Sequence, residues 1–130
     1  MLVLSSTYSI SVSQPPTNGV TLTEQADYDY QMGLLTKITD PNGNQTTAGY
    51  DDFGRMTSLV KPGDSASYPT ETIDYTDYTA SQPFHTLVYQ RQAAGSSDRG
   101  RPTSRFYDGL GRLIQTKQED KNGQENIASE

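Results

Sequence analysis

Sixteen carboxylates, ten cationic side chains, one histidine and no cysteine set the chemistry open to this chain. Without Cys there is neither a disulfide nor a thiolate metal site, and the single His85 excludes a His-rich one. A Ser-His-Asp triad would have to use His85, yet no G-x-S-x-G nucleophile phrase is present. His85 beside Phe84 reads as a packing or surface residue. Asp40, Asn42, Asn44 and Thr46, with Asp51 twelfth in the count, sketch a calcium loop, because calcium takes hard oxygen ligands at alternating positions. The Gly falls fourth rather than sixth, and the last ligand is Asp rather than Glu, which favours a plain hairpin turn.

Two Tyr/Asp clusters, Asp27-Tyr28-Asp29-Tyr30 and Asp74-Tyr75-Thr76-Asp77-Tyr78, would suit a carbohydrate-binding face. Rings stack on sugars and carboxylates accept from their hydroxyls; the plainer reading is strand ends with solvated carboxylates. So many acids also offer pairs for an acid-dependent glycosidase, but abundance alone raises no pKa. Arg55 and Arg112 are candidate anion ligands. The expectation is that each stem lies along a neighbouring strand and pairs with an Asp of an adjacent turn. Gly109-Leu110-Gly111 lacks the third Gly and the following helix of a dinucleotide fingerprint. Asn44-Gln45-Thr46 is a glycosylation sequon, meaningful only in a eukaryotic secretory context. These readings assign no catalytic, cofactor-binding or metal residue, no cofactor and no enzyme activity.

The elements that must carry these residues are announced by a repeated phrase. Tyr50-Asp51-Asp52-Phe53-Gly54-Arg55-Met56 returns as Tyr107-Asp108-Gly109-Leu110-Gly111-Arg112-Leu113, the pattern Y-D-x-x-G-R-apolar. A looser copy from Tyr28 to Leu35 has one extra residue and no Arg. Tyr favours a strand, Asp starts a turn on its own backbone, and Gly54 or Gly111 supplies positive φ. Asp40-Pro41-Asn42-Gly43 reads as a second, alternating turn type, echoed by Asp120-Lys121-Asn122-Gly123 and followed by Lys61-Pro62-Gly63-Asp64. Strands are expected over Leu34–Thr39, Asn44–Tyr50 and Arg55–Val60, an antiparallel meander.

Tyr8, Ile10 and Val12 alternate with Ser9, Ser11 and Ser13, the period of a strand. A turn or break follows over Pro15–Gly19, then a short strand over Val20–Thr23. Glu71–Tyr78 and Phe84–Arg91 are expected to pair as strands, and Ser65–Ser67 and Ala93–Pro102 to form loops. Leu87–Ala94 is the longest helix candidate, and it is unconvincing.

The phrases over 28–63 and 103–118 resemble the RHS or YD-repeat family. Within it they look most like the B component of bacterial insecticidal toxin complexes and its SpvB-like relatives. That resemblance implies an all-β fold in which repeats wind into a large β-sheet shell around toxin cargo. It implies a secreted or cell-surface protein whose partners are neighbouring repeats of the shell or other toxin-complex components. So short a chain is expected to be a fragment or a truncated product, with self-association through its strand edges. A small carbohydrate-binding module with a Tyr/Asp-rich face is the alternative.

Four segments are expected: an N-terminal β segment 1–27, YD-repeat hairpins 28–63, an irregular or β connection 64–102, and a hairpin with a polar tail 103–130. Apolar residues make up 32% of the chain, so its core is thin and disorder competes with folding. Tyr supplies nine of twelve aromatics, which suits sheets covered by amphipathic rings. A net charge of −6 disfavours nucleic acid and anionic membranes. No apolar run approaches the ~20 residues of a membrane helix, and Met1-Leu2-Val3-Leu4 is too short for a signal peptide. Circular dichroism should show β structure, and a helix content above about one-fifth would contradict this reading.

Overall fold

The computed structural model describes residues 7–76, 83–120 and 122–129. Among them every regular element is an antiparallel strand and none is a helix. The chain forms two compact units, Met1–Pro62 and Gly63–Glu130. The first holds β1 (Thr7–Ser13), β2 (Thr23–Asp29), β3 (Leu35–Thr39), β4 (Gln45–Tyr50) and β5 (Met56–Val60), each paired with the next. The second holds β6 (Glu71–Thr76), β7 (His85–Gln90), β8 (Pro102–Tyr107), β9 (Leu113–Glu119) and β10 (Glu125–Ser129), again paired in sequence. Each unit is thus an up-and-down meander, the all-β hairpin architecture the turn phrases dictate. Asp77, Tyr78 and Lys121 from the sequence motifs, and the apolar Met1–Leu4, lie outside the described residues.

Three expectations need correction. The strand expected over Val20–Thr23 is instead a turn exit. Thr17 and Val20 bond each other in both directions across Asn18-Gly19, and the strand begins only at Thr23. The register explains why. Tyr8 faces Tyr28 and Ile10 faces Ala26, so β2 must run into the Asp-Tyr-Asp cluster, whose acids disguise a strand. Secondly, the helix candidate over Leu87–Ala94 begins inside β7, where register with β6 and β8 overrides a weak helical pattern. Thirdly, Arg55 does not open the strand expected over Arg55–Val60, and its counterpart Arg112 likewise precedes β9. They are the last residues of the turns, and the strands start at Met56 and Leu113.

A feature absent from the sequence reading accompanies every copy of the Y-D phrase. Register shifts fall at Asp27/Tyr28, Gly49/Tyr50 and Phe106/Tyr107, at the Tyr that opens the turn. The extra residue lies on the outgoing strand, at Thr36, Thr57 and Ile114. A bulge next to a tight hairpin raises the local twist, so each repeat carries its own curvature.

Packing is shallow. Among the described residues Val88, 5% exposed, is the one buried apolar side chain, and no large side chain is fully enclosed. It lies on β7, which has β6 on one side and β8 on the other. Polar residues join it in the interior: His85, Thr86 and Ser104 are buried too.

The glycines at two kinds of position differ in what a Cβ would meet. Gly111 has φ of +78° and open space around it, so Ala there costs only the conformation, about 1 kcal/mol. Gly100 has the same φ, but its Cβ would collide with the Gln90 carbonyl oxygen. Gly100→Ala should therefore destabilise more than Gly111→Ala in denaturant titration. Equal loss in the two variants would contradict the close approach of the 91–101 loop to β7.

Candidate functional site

The residues that recur with a fixed geometry are those of the turns. In the Asp51 turn the Gly54 N–H donates to the Asp51 carbonyl at 3.0 Å. That leaves the Phe53 and Arg55 N–H groups without backbone acceptors. Asp51 Oδ1 accepts both, at 3.0 and 2.9 Å, while Oδ2 accepts from Arg55 Nε at 2.7 Å. The Asp108 turn repeats this: Leu110 and Arg112 N–H donate to Oδ1, each at 2.9 Å, and Arg112 Nε to Oδ2 at 2.7 Å. A type I turn closed by a left-handed Gly has this form.

The turn expected to be a second type is the same one. Asp40 Oδ1 accepts from Asn42 and Asn44 N–H at 2.8 and 2.9 Å, and Oδ2 from Asn44 Nδ2 at 2.9 Å. Asp120 Oδ1 accepts from Asn122 and Gln124 N–H at 2.7 and 3.0 Å. The common motif is Asp, two free positions, Gly, then a residue whose N–H returns to the Asp. Arg, Asn or Gln there changes only what meets the second carboxylate oxygen. The Asp29 turn is a longer variant, with Gln31 and Met32 N–H on Oδ1 at 2.9 and 2.7 Å. The Arg55 and Arg112 pairing also needs correction. Each partner is the Asp of the residue's own turn, four positions back, because the turn folds that carboxylate under the guanidinium.

Donors aimed at these carboxylates shift their acidity. The Arg112 N–H and guanidinium hold Asp108 below the usual range. Partial desolvation raises Asp51, but the Arg55 N–H and side chain outweigh it and the net shift is downward. Asn44 lowers Asp40 and the Gln124 N–H lowers Asp120.

Two further carboxylates join segments distant along the chain, Asp27 across strands and Asp64 between loops, and the partners of neither were apparent in the sequence. Asp27 accepts from Lys37 Nζ at 2.6 Å, from Ser9 Oγ at 2.6 Å and from Gln25 Nε2 at 3.1 Å, which links β1, β2 and β3. Those donors lower its pKa to about 2. Asp64 accepts from Thr70 Oγ1 and the Gly95 N–H, both at 2.7 Å, and lies 3.8 Å from Arg91 Nε. The Asp64 and Arg91 side chains are 5% and 2% exposed, and Arg91 also donates to the Pro69 carbonyl at 2.9 Å beneath the Tyr68 ring. Thr70 and Gly95 hold the Asp64 carboxyl below its ordinary range.

The sequence candidates are placed as follows. Asp40 and Asp51 occupy separate turns at opposite ends of β4, ~20 Å of extended chain, with their oxygens turned to turn donors; they do not share an ion site. Among the described residues no group of three or more His, Cys, Asp or Glu is placed to hold a metal. Asp27 and Tyr28 alternate on β2 and point to opposite faces, so the first Tyr/Asp cluster is not one surface. Tyr28 stacks on Tyr8 with centroids 5.3 Å apart, and Tyr30 meets Tyr8 edge-on. Asp74 and Tyr75 likewise alternate on β6. His85 is buried, stacked on Phe106 at 5.0 Å, with Nδ1 3.1 Å from the Pro83 carbonyl. The sequon Asn44 donates to Asp40. Gly111 closes its turn, so Gly109-Leu110-Gly111 is hairpin rather than nucleotide loop.

The first unit is two-faced. Ile10, Val12, Ala26, Tyr28, Leu35 and Ile38 line one apolar trough, and Leu35, Ile38, Ala48, Tyr50, Met56 and Leu59 another beside it. The Tyr50 hydroxyl is anchored to the Leu35 carbonyl at 2.7 Å. Ser9, Asp27 and Lys37 occupy the other face.

A family model for the RHS repeat matches residues 33–66 of the chain. The match begins at the Gly of the Asp29 turn, takes in β3 to β5, and extends just past the turn residues Pro62-Gly63. No curated protein matches the chain. RHS repeats are structural repeats, and the matched segment contains two of the Asp-anchored turns.

The depressed carboxylates make stability pH-dependent with a fixed sign. The native pKa of Asp27, about 2, lies below its ordinary 3.8, so the unfolded chain binds the proton first. Its contribution is complete above 3.8 and is lost as pH falls towards 2. Urea titrations from pH 6 downward should show stability falling in that window, and Asp27→Asn should flatten the fall. An unchanged slope in the variant would count against the Asp27–Lys37–Ser9 network.

Proposed function

We propose that this chain is a non-catalytic building segment of a larger β-sheet shell, of the kind that encloses toxin cargo in secreted or surface proteins with RHS repeats. The observation that carries the reading is the recurrence of one turn. It stands at Asp40 and Asp51 inside the segment matched as RHS repeat, and again at Asp108 and Asp120 outside it. A turn repeated with the same bonds in both units is a construction rule, and its polar groups are spent on closing hairpins.

The two-faced sheet of the first unit supports the same reading. A wall needs one face for the lumen and another for the exterior, and its strands need neighbours at both edges. Partners of this kind would be further repeats of the same shell and other toxin-complex components. The carbohydrate alternative loses its first cluster as a single face, since Tyr28 and Asp27 lie on opposite sides of β2.

The test has two arms. Purified alone, the chain should associate through strand edges, so its melting temperature should rise with concentration in sedimentation and thermal series. Expressed together with the coding sequence that flanks it, it should form hollow particles that shield enclosed polypeptide from protease. A monomer with a sharp, concentration-independent melt, and no protection in the longer product, would overturn the proposal.

A further inference from the structure

The sequence holds three Asn-Gly pairs, at 18–19, 42–43 and 122–123, and the structure treats one of them differently. Asn-Gly is the dipeptide most open to deamidation, because Gly puts no side chain in the way of its own nitrogen. The Gly nitrogen, stripped of its proton by hydroxide, attacks the Asn Cγ. The Cγ–Nδ2 bond breaks and ammonia leaves. Water then opens the resulting succinimide at either carbonyl, giving Asp or isoaspartate. No electrons change hands, and water is the only co-reactant.

In two of the pairs that nitrogen is engaged. The Gly43 N–H donates to the Asp40 carbonyl at 2.9 Å, and the Gly123 N–H to the Asp120 carbonyl at 3.1 Å. An accepting carbonyl raises the cost of removing the proton. In both turns the Asp carboxylate also binds the N–H of the Asn itself, at 2.8 Å for Asn42 and 2.7 Å for Asn122. Its negative charge opposes a second anion beside it. The bonds that build the repeat turn therefore also shield its Asn-Gly.

The Asn18-Gly19 turn has neither guard. It is a two-residue hairpin loop with both residues at positive φ, +51° and +75°. The turn is closed by Thr17 and Val20, each donating to the other's carbonyl. Among the described residues the Gly19 N–H meets no acceptor, and nothing stands within 4 Å of a Cβ built on Gly19. Residues 14–22 carry no charge, and Asn18 is exposed.

We propose that Asn18 is a spontaneous modification site, deamidating in the folded protein ahead of Asn42 and Asn122. The product adds a negative charge to the tip of the β1–β2 hairpin. In its isoaspartyl form it also adds a methylene to the backbone between Thr17 and Val20, whose paired bonds depend on a two-residue spacing.

The test is a time course of the intact chain at mildly alkaline pH, with peptide mapping by mass spectrometry that separates Asp from isoaspartate. Asn18 should convert several-fold faster than Asn42 or Asn122. In concentrated urea the three rates should converge, because the guards exist only in the fold. Asp40→Asn, which removes the carboxylate beside Asn42, should raise the rate at Asn42 and leave that at Asn18 unchanged. Faster conversion at Asn42 or Asn122, equal rates in the folded chain, or a rate order that persists in urea would each overturn the proposal.

Discussion

The fold depends on how a hairpin disposes of the N–H groups its turn leaves over. A type I turn closed by a left-handed Gly uses the first residue's carbonyl for the Gly N–H. The next N–H must then find an acceptor elsewhere, and an aspartate in first position supplies one without lengthening the loop. The Asp40, Asp51, Asp108 and Asp120 turns all meet the constraint this way. Such a turn is self-contained. It needs no burial and no partner strand beyond the two it joins, which suits a chain with 32% apolar residues.

Shallow packing moves the work of joining strands to polar networks on the sheet surfaces. Asp27 ties three strands through Lys37, Ser9 and Gln25. Asp64 and Arg91 do more, because they are almost wholly removed from water, and a buried ion pair pays heavily for desolvation unless its remaining groups are satisfied. Thr70, Gly95 and the Pro69 carbonyl satisfy much of it. Arg91 Nη1 remains without a hydrogen-bond partner among the described residues, so the pair fixes where the 91–101 loop sits more than it adds to stability.

Much of this was legible in the sequence because the signals are local. Tyr for the strand, Asp for the turn, Gly for positive φ and Arg or Asn after it lie within six residues, and the strands over 35–60 emerged nearly to the residue. Three things were hidden. That the Asp-Pro-Asn-Gly and Tyr-Asp turns are one turn is masked by residue types at free positions. The bulges at Thr36, Thr57 and Ile114 depend on pairing register, which no single strand encodes. Asp64 and Arg91 are 27 residues apart, so their meeting is purely tertiary. In β2 the acids that reach Lys37 and the Asp29 turn resemble loop residues until their partners are known.

The direction of the acidity shifts bears on catalysis. A glycosidase needs a carboxylic acid whose pKa is raised, so that it still holds a proton to give near neutrality. Asp27, Asp40, Asp51, Asp64, Asp108 and Asp120 are all shifted the other way. The cause is common to them: donors aimed at the charged form by a turn or a cross-strand neighbour. Near neutrality these carboxylates are hydrogen-bond acceptors, and the bonds they accept close hairpins at Asp40, Asp51, Asp108 and Asp120 and join distant segments at Asp27 and Asp64. An acid already committed to closing a turn has no proton to transfer and little freedom to move towards a substrate. The chemistry that makes the turn easy to build therefore suits these six residues to accepting hydrogen bonds rather than to acid catalysis.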